Sequence, residues 1–216
     1  LHVPGKDPVP EVNRILDSYA ATTADVLVLS AATGADGYDT RPQLDDDGWQ
    51  TLVTNLDRLT AVAAERGVLA VLHPHVGTMI ENGQEVQEVL VGSSISLCLD
   101  TGHLLIGGSD PADLAQQAPE RIAHLHLKDV DSTIAAMVRS GELTYYEAVK
   151  QGMYRPLGTG DVYVTAIVGH LRTHGYDGWY TLEQDTILTD EPEGDGPVAD
   201  VVTSAEHLRA VLSRSR

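Results

Sequence analysis

In Ile95-Ser96-Leu97-Cys98-Leu99-Asp100-Thr101-Gly102-His103, a short apolar run passes directly into polar groups. An apolar run of this length predicts a buried β-strand. The pattern recurs three more times along the chain. One apolar run ends in His73-Pro74-His75, one carries His124 and His126 into Lys128-Asp129, and one ends in Glu183-Gln184-Asp185. Four predicted strands therefore end in carboxylates or imidazoles.

The spacing of the histidines favours a shared site. Side chains two residues apart on a strand project from the same face, as His73 and His75 or His124 and His126 would. In a barrel of parallel strands, the carboxyl ends of the strands form the edge where active sites are built. Carboxylates together with imidazoles suit Mn²⁺, Mg²⁺, Co²⁺ or Zn²⁺, and no thiolate is offered at these ends. The sequence predicts a divalent metal site there.

Composition excludes several classes of protein. The chain has 216 residues, of which 42% are hydrophobic, and no apolar run is long enough to cross a membrane. Its formal charge of -18 repels phosphate backbones, so nucleic acid is not an expected partner. The single Cys98 cannot form an internal disulfide and is expected to pack as a small apolar side chain. A cytoplasmic location follows from that cysteine usage.

Strands and helices are predicted to alternate throughout. Apolar patterns predict strands over 25–29, 68–72, 95–99, 122–127 and 179–182, with helices over 10–20, 48–66, 84–91, 162–174 and 199–213 and another opened by Asp110-Pro111. This order implies a parallel sheet with right-handed crossovers. A closed (β/α)₈ barrel needs about three more βα units at its front. The chain also begins with Leu1 rather than Met, so residues 1–216 are expected to form a single, partial TIM-barrel domain.

The longest connection follows the strand that ends at Lys128. It is predicted to hold helices over 132–139 and 143–150, followed by the turn Gly158-Thr159-Gly160. Connections of this length in a compact domain commonly cover an active site. We therefore expect this segment to lie over the polar strand ends.

Four motifs together resemble one known family. They are His73-Pro74-His75-Val76-Gly77-Thr78, Asp100-Thr101-Gly102-His103, His124-Leu125-His126-Leu127-Lys128-Asp129 and Gly178-Trp179-Tyr180-Thr181-Leu182-Glu183-Gln184-Asp185. Their order and spacing resemble the xylose-isomerase-like sugar phosphate isomerase/epimerase superfamily, and within it the inosose dehydratase type of member. The resemblance covers nearly the whole chain and implies the fourth to eighth strands of a (β/α)₈ TIM barrel.

The resemblance implies a set of metal ligands. By position in the motifs, Asp100, His126 and Glu183 would hold a divalent ion. Many members carry Glu at the position of His73, where this chain has an imidazole. The fourth ligand is therefore His73, His75 or the nearby Glu81, and we favour Glu81. A second departure is Tyr163, where the family pattern leads us to expect Asp, and it is expected to affect the start of a helix more than the chemistry.

The resemblance also implies an activity, the removal of a proton next to a carbonyl in a polyol or keto sugar. A divalent cation would stabilise the enediolate, and a carboxylate would take the proton. Glu183 is then the leading candidate for the base, with Glu81 opposite it. The predicted substrate-binding residues are His73, His75, His103, Lys128 and Arg155. Isomerisation, epimerisation and dehydration stay open, as does assembly into a homo-oligomer.

Other interpretations of these residues compete with the catalytic ones. His124 is expected to be structural. The alternative role of Lys128 is an ion pair with Asp129 or another acid. The alternative role of His73 and His75 is hydrogen bonding to the Gly77-Thr78 loop. For the whole chain the rivals are a metal-dependent hydrolase of the amidohydrolase type and an inactive truncated barrel. The DNA repair enzyme endonuclease IV, from the same superfamily, is disfavoured by the negative charge.

Overall fold

Two compact units make up the chain, Leu1–Cys98 and Leu99–Arg216. The computed structural model describes residues 1–192 and 194–214. In both units, strands alternate with helices, as the hydrophobic pattern predicts. That the chain forms a single domain stays a prediction. Among the residues described, no helix is both long enough and apolar enough to cross a membrane.

The first unit contains three helices and the strands between them. Its elements are α1 (Val9–Tyr19), β1 (Val26–Leu29), α2 (Asp46–Ala64), β2 (Leu69–Leu72), α3 (Gly83–Gly92) and the first residues of β3 (Ser96–Asp100). Strand β2 pairs in parallel with β1, where Val26 lies opposite Leu69, and with β3, where Leu72 lies opposite Leu97. These pairings confirm the predicted parallel arrangement in this unit.

Helix α2 shows how the local sequence sets the boundaries of an element. The Asp45 carboxylate accepts a hydrogen bond of 2.8 Å from the backbone N–H of Gly48, and such a cap fixes the first turn. Leu52, Leu56 and Leu59 form its fully buried face. The helix begins two residues before the predicted Gly48 because Asp45, and not a later residue, provides the cap.

The second unit holds the rest of the chain. Its elements after β3 are α4 (Thr101–Ile106), α5 (Pro111–Gln117), a 3₁₀ turn (Pro119–Arg121), β4 (Ile122–Leu127), β5 (Asp129–Val130), α6 (Ser132–Ser140), α7 (Tyr145–Lys150), β6 (Tyr154–Arg155), α8 (Val164–Thr173), β7 (Tyr180–Leu182) and α9 (Pro197–Arg214). Strands β4 and β7 pair in parallel, with His126 opposite Thr181. All five predicted parallel strands are therefore present.

Four short elements were not predicted: the 3₁₀ turn (Pro119–Arg121), α4, β5 and β6. Helix α4 begins directly after β3 and has only six residues, too few for a hydrophobic period to be visible. Strands β5 and β6 are two residues each and pair antiparallel. Helix α8 begins two residues later than predicted, and Tyr163 at its N-terminus makes no side-chain cap. This agrees with the expectation that Tyr163 affects the start of the helix.

A buried carboxylate fixes the long connection after β4. Asp129 is 1% exposed, and its oxygens accept hydrogen bonds from the backbone N–H groups of Val130, Gly158, Gly160 and Val162 at 2.8–3.0 Å. Bonds to a carboxylate are stronger than bonds between neutral groups. One side chain thereby ties both ends of the segment 129–162, named here the covering segment, to the end of β4.

Asp129→Asn tests this anchor. The amide places an N–H₂ group against backbone donors where an oxygen accepted two bonds, so the free energy of unfolding should fall by about 3 kcal/mol. Urea denaturation measures the change, and limited proteolysis should cut within the covering segment. The matched control is Asp177→Asn on the exposed surface. Equal stability of the two variants would contradict the assigned role of Asp129.

Candidate metal centre and active site

The two oxygens of Asp100 serve different purposes. Oδ1 caps helix α4, accepting hydrogen bonds from the N–H groups of Gly102 at 2.9 Å and His103 at 2.8 Å. Oδ2 lies 3.7 Å from His126 Nδ1 and 3.8 Å from Lys128 Nζ. The side chain is fully buried. Because the cap fixes its rotamer, Asp100 presents one oxygen to the site in a preset position.

His126 and Lys128 bring two more charged or polar groups to the same place. They are two residues apart at the end of β4, so their side chains share one face. The nearest partner of both is Glu183, directly after β7, whose Oε2 lies 2.8 Å from His126 Nδ1 and 2.9 Å from Lys128 Nζ. The parallel pairing of β4 and β7 explains this meeting, since it places the carboxyl ends of the two strands side by side.

The electrostatic environment keeps Glu183 ionised. Burial by itself raises the pKa of a carboxyl group, but the close contact with His126 and the charge of Lys128 outweigh it and lower the pKa of Glu183 to about 2. The Glu183 side chain is 39% exposed, whereas that of Asp100 is 0% exposed. Of the two carboxylates, Glu183 is therefore the one accessible to a bound molecule.

Asp100, His126 and Glu183 fit a divalent metal ion. Each offers one ligand atom, and the three atoms lie within 4.8 Å of one another. Two carboxylate oxygens and one imidazole nitrogen form a donor set suited to Mn²⁺, Co²⁺, Mg²⁺ or Zn²⁺. The second unit thus assembles the three ligands that the family resemblance implies, although their role as ligands stays a prediction.

Lys128 is packed tightly into the site. It is 1% exposed, and its backbone exchanges two hydrogen bonds with the Thr101 hydroxyl, at 2.7 and 3.0 Å. A methyl group added at Gly102 would come within 2.5 Å of Lys128 Cβ, so only glycine permits this approach. Lys128 does form an ion pair with an acid, as its alternative interpretation predicts. The partner is Glu183, since Asp129 binds backbone amides.

Two tyrosines from the covering segment complete the surroundings of Lys128, and the sequence reasoning missed both. The hydroxyls of Tyr145 and Tyr154 lie 2.6 Å apart, and the Tyr145 hydroxyl donates a 3.3 Å hydrogen bond to Asp185 Oδ2. The Tyr154 ring centroid is 5.5 Å from Lys128 Nζ. The signal available in the sequence was the presence of aromatic residues in the long connection that follows the strand ending at Lys128.

His103 and Arg155, two of the predicted substrate-binding residues, lie in different settings. His103 is fully buried in α4, and its ring centroid is 6.4 Å from that of Tyr145 and 6.3 Å from that of Tyr154. Arg155 on β6 forms an ion pair of 3.0 Å with Asp131. Contact with a substrate stays a prediction for both, and Arg155 would have to exchange its partner to make one.

The remaining predicted site residues belong to the first unit. His73 is buried and its ring centroid lies 5.4 Å from that of His75, whose Nδ1 is 2.7 Å from the backbone oxygen of Val76. Glu81 Oε2 accepts a 2.7 Å hydrogen bond from the N–H of Gly77 and lies 3.2 Å from Arg41 Nε. Glu81 stays a predicted ligand and base, and metal binding would compete with its ion pair to Arg41.

His124 behaves as its structural interpretation predicts. It is buried on the face of β4 near Thr181, whose hydroxyl oxygen is 3.3 Å from His124 Nε2. His124 therefore serves as a control residue of the same type as His126 on the same strand.

The family is established by comparison. The model of the family described as xylose isomerase-like TIM barrel matches residues 11–211. The chain belongs to this family. The fold class predicted from the sequence, a TIM barrel present as five βα units, is thereby confirmed.

Two relatives of the chain carry the same name. The chain is 33% identical over 151 residues to inosose dehydratase of Geobacillus thermodenitrificans, covering 68% of this chain and 51% of the relative. It is 31% identical over 179 residues to inosose dehydratase of Lacticaseibacillus casei, covering 82% of this chain and 59% of the relative. The chain therefore spans between half and three fifths of the length of these relatives.

A solved structure supports the same fold. The crystal structure of the IolI protein with a bound zinc atom matches with a TM-score of 0.68 at 16% identity. The match covers 96% of this chain and 70% of the other. At this level of identity, the likeness concerns the fold.

The buried tyrosines predict a distinctive response to alkaline pH. Burial raises the pKa of Tyr145 and Tyr154 well above its ordinary value of 10.0, whereas both ionise near that value in the unfolded chain. Each therefore stabilises the fold fully below pH 10, and above it each lowers the free energy of unfolding by up to about 1.4 kcal/mol per pH unit.

Tyrosinate absorbance at 295 nm measures this response. Of the eight tyrosines, Tyr145 and Tyr154 should ionise only when circular dichroism reports unfolding. The exposed Tyr146 and Tyr163 are the internal reference. Complete ionisation of all eight near pH 11 in a protein that is still folded would show that the two hydroxyls are not buried as described.

Proposed function

We propose that this chain is the metal-binding part of an enzyme that acts on a sugar or inositol-derived polyhydroxy ketone. The reaction begins with removal of a proton next to a carbonyl group. The observation that carries the proposal is the meeting of Asp100, His126 and Glu183 within 4.8 Å beside Lys128. The names of the two inosose dehydratase relatives, and the zinc in the related IolI fold, support the same conclusion.

The metal and the protein contribute different parts of the chemistry. A bound divalent cation supplies Lewis-acid stabilisation of the negative charge that develops on the oxygens of the substrate. Asp100, His126 and Glu183 would hold it, with Glu81 as the favoured fourth ligand over His73 and His75. Asp100 suits a purely structural ligand role because it is buried and its second oxygen caps α4.

Glu183 is the proposed base. Its side chain is 39% exposed, which gives a substrate access to the carboxylate. It accepts the proton from the carbon beside the carbonyl. Lys128, 2.9 Å away, then gives a proton to the departing hydroxide, so that water leaves and a double bond forms. If the proton returns to carbon instead, the same residues perform epimerisation or isomerisation.

Dehydration is the first choice among these outcomes. Lys128 offers an ammonium proton beside the base, and the two relatives carry the name of a dehydratase. Epimerisation or isomerisation is the second, because the family is described by its likeness to an isomerase. A cytoplasmic location and a homo-oligomeric state stay predictions.

Metal binding can be tested without any substrate. After dialysis against a chelator, Mn²⁺ at 100 times its dissociation constant should raise the free energy of unfolding by about 2.7 kcal/mol. His126→Gln should weaken binding in isothermal titration calorimetry by at least about tenfold, because one of three ligands is lost. His124→Gln on the same strand should bind as the parent does. Loss of binding in His124→Gln but not in His126→Gln would refute the ligand assignment.

Proton abstraction can be followed by NMR in D₂O with inosose and with ketohexoses. The parent chain loaded with Mn²⁺ should incorporate deuterium next to the carbonyl, and Glu183→Gln should lower the rate by about 10²–10⁴-fold because the base is removed. Glu206→Gln on the exposed surface of α9 is the control. Hydrolysis of a lactone without exchange would favour an amidohydrolase-type activity. Metal binding without either reaction would favour an inactive partial barrel.

A further inference from the structure

We propose that Tyr145, Tyr154 and Asp185 form a positioning device for Lys128. The inference rests on the proposed function, in which Lys128 delivers a proton beside Glu183. The three residues do not react themselves. They hold the ammonium group against the base, and two of them come from the covering segment.

Lys128 has two different kinds of partner. Its Nζ lies 2.9 Å from Glu183 Oε2 and 5.5 Å from the centroid of the Tyr154 ring. The carboxylates of Asp100 and Asp185 lie further away, at 3.8 and 3.9 Å. An ammonium group is attracted to the face of an aromatic ring, and more strongly when both are removed from water. The ring therefore limits how far Lys128 can move from Glu183.

The hydrogen bonds among the three residues run in one direction. The Tyr145 hydroxyl donates its single proton to Asp185 Oδ2. The 2.6 Å bond between the two hydroxyls must then use the proton of Tyr154. Tyr145 is thereby fixed as an acceptor from one residue and a donor to another. The two hydrogen bonds together fix the orientation of the Tyr154 ring and the position of the Asp185 carboxylate.

The device connects the covering segment to the chemistry. Tyr145 lies on α7 and Tyr154 on β6, whereas Asp185 follows β7 and Lys128 follows β4. Asp129 ties the segment to the end of β4 through its bonds to Gly158 and Gly160. A lysine side chain has several rotatable bonds and loses much entropy when held in one conformation. The segment supplies the contacts that offset this loss.

Competitive labelling with acetic anhydride measures how well Lys128 is held. The chain has only three lysines, and the exposed Lys6 and Lys150 are internal references in the mass spectrum. On the Mn²⁺-loaded protein, Lys128 should react at least about tenfold more slowly than either reference. Tyr154→Leu, which removes the ring, should raise the relative rate at Lys128 by about fivefold.

Conservative variants separate the ring from the hydroxyls. Tyr154→Phe keeps the ring face and the bond between Tyr145 and Asp185, so labelling should stay within about twofold of the parent. Tyr145→Phe removes the bonds to both Tyr154 and Asp185 and should raise labelling about threefold. The matched control is Tyr146→Phe, because Tyr146 neighbours Tyr145 in sequence but is exposed. If Tyr154→Leu does not fold, the comparison of Tyr145→Phe with Tyr146→Phe still decides the matter. Equal labelling of Lys128 in both would overturn the proposal.

A double-mutant cycle tests the link to catalysis. Tyr145→Phe should lower kcat for loss of water from inosose by about tenfold with KM within about twofold, and Mn²⁺ affinity should not change. In a Lys128→Met background the same substitution should have no further effect, because Tyr145 acts through Lys128. An equal loss in both backgrounds would refute the positioning role. If the parent shows no reaction at all, the proposed function fails, while the labelling result still decides whether Lys128 is held.

Discussion

The ion pair between the Lys128 ammonium and the Glu183 carboxylate is the interaction on which the site of the second unit depends. A charge buried to this extent costs several kcal/mol unless an opposite charge and hydrogen bonds compensate it. The 2.9 Å pair supplies that compensation and joins the end of β4 to the residue after β7. It also determines what can pack nearby. Lys128 Cβ occupies the space that a side chain at position 102 would need, so this position is glycine. The Thr101 hydroxyl donates to the backbone oxygen of Lys128 and accepts from its backbone N–H.

The covering segment depends on a second buried carboxylate. Asp129 neighbours Lys128 in sequence, and an ion pair with Asp129 or another acid was the alternative interpretation of Lys128. Its oxygens instead accept four backbone hydrogen bonds, three of them from residues 158–162. Since adjacent residues at a strand end point to opposite sides, one side receives Lys128 and the other the segment. The two adjacent residues Lys128 and Asp129 thus serve the site and the covering segment respectively.

The carboxylates of the proposed reaction differ in their freedom. Asp100 is fully buried and holds the first turn of α4, so that moving it would disturb a helix as well as a ligand. Glu183 is partly exposed and kept ionised by His126 and Lys128. The arrangement provides one fixed ligand and one group that can meet a substrate. The same division explains why a cap, an ordinary local feature of helices, can also preorganise a metal site.

The alternation of strands and helices and the residues at the strand ends could be predicted from the order of amino acids alone. Hydrophobic runs carry this information locally, and the carboxyl ends of parallel strands meet at one edge wherever the chain folds that way. The family resemblance of the four motifs then singled out Asp100, His126 and Glu183 among these residues as the predicted ligands. The partner of Lys128, the hydrogen bonds of Asp129 and the contribution of Tyr145 and Tyr154 became visible in the folded chain. These contacts join residues up to 55 positions apart, as between Lys128 and Glu183, or come from two-residue strands and a six-residue helix. Elements so short contain too few residues for a hydrophobic period to be visible in the sequence. Their stability comes from packing and not from local preference.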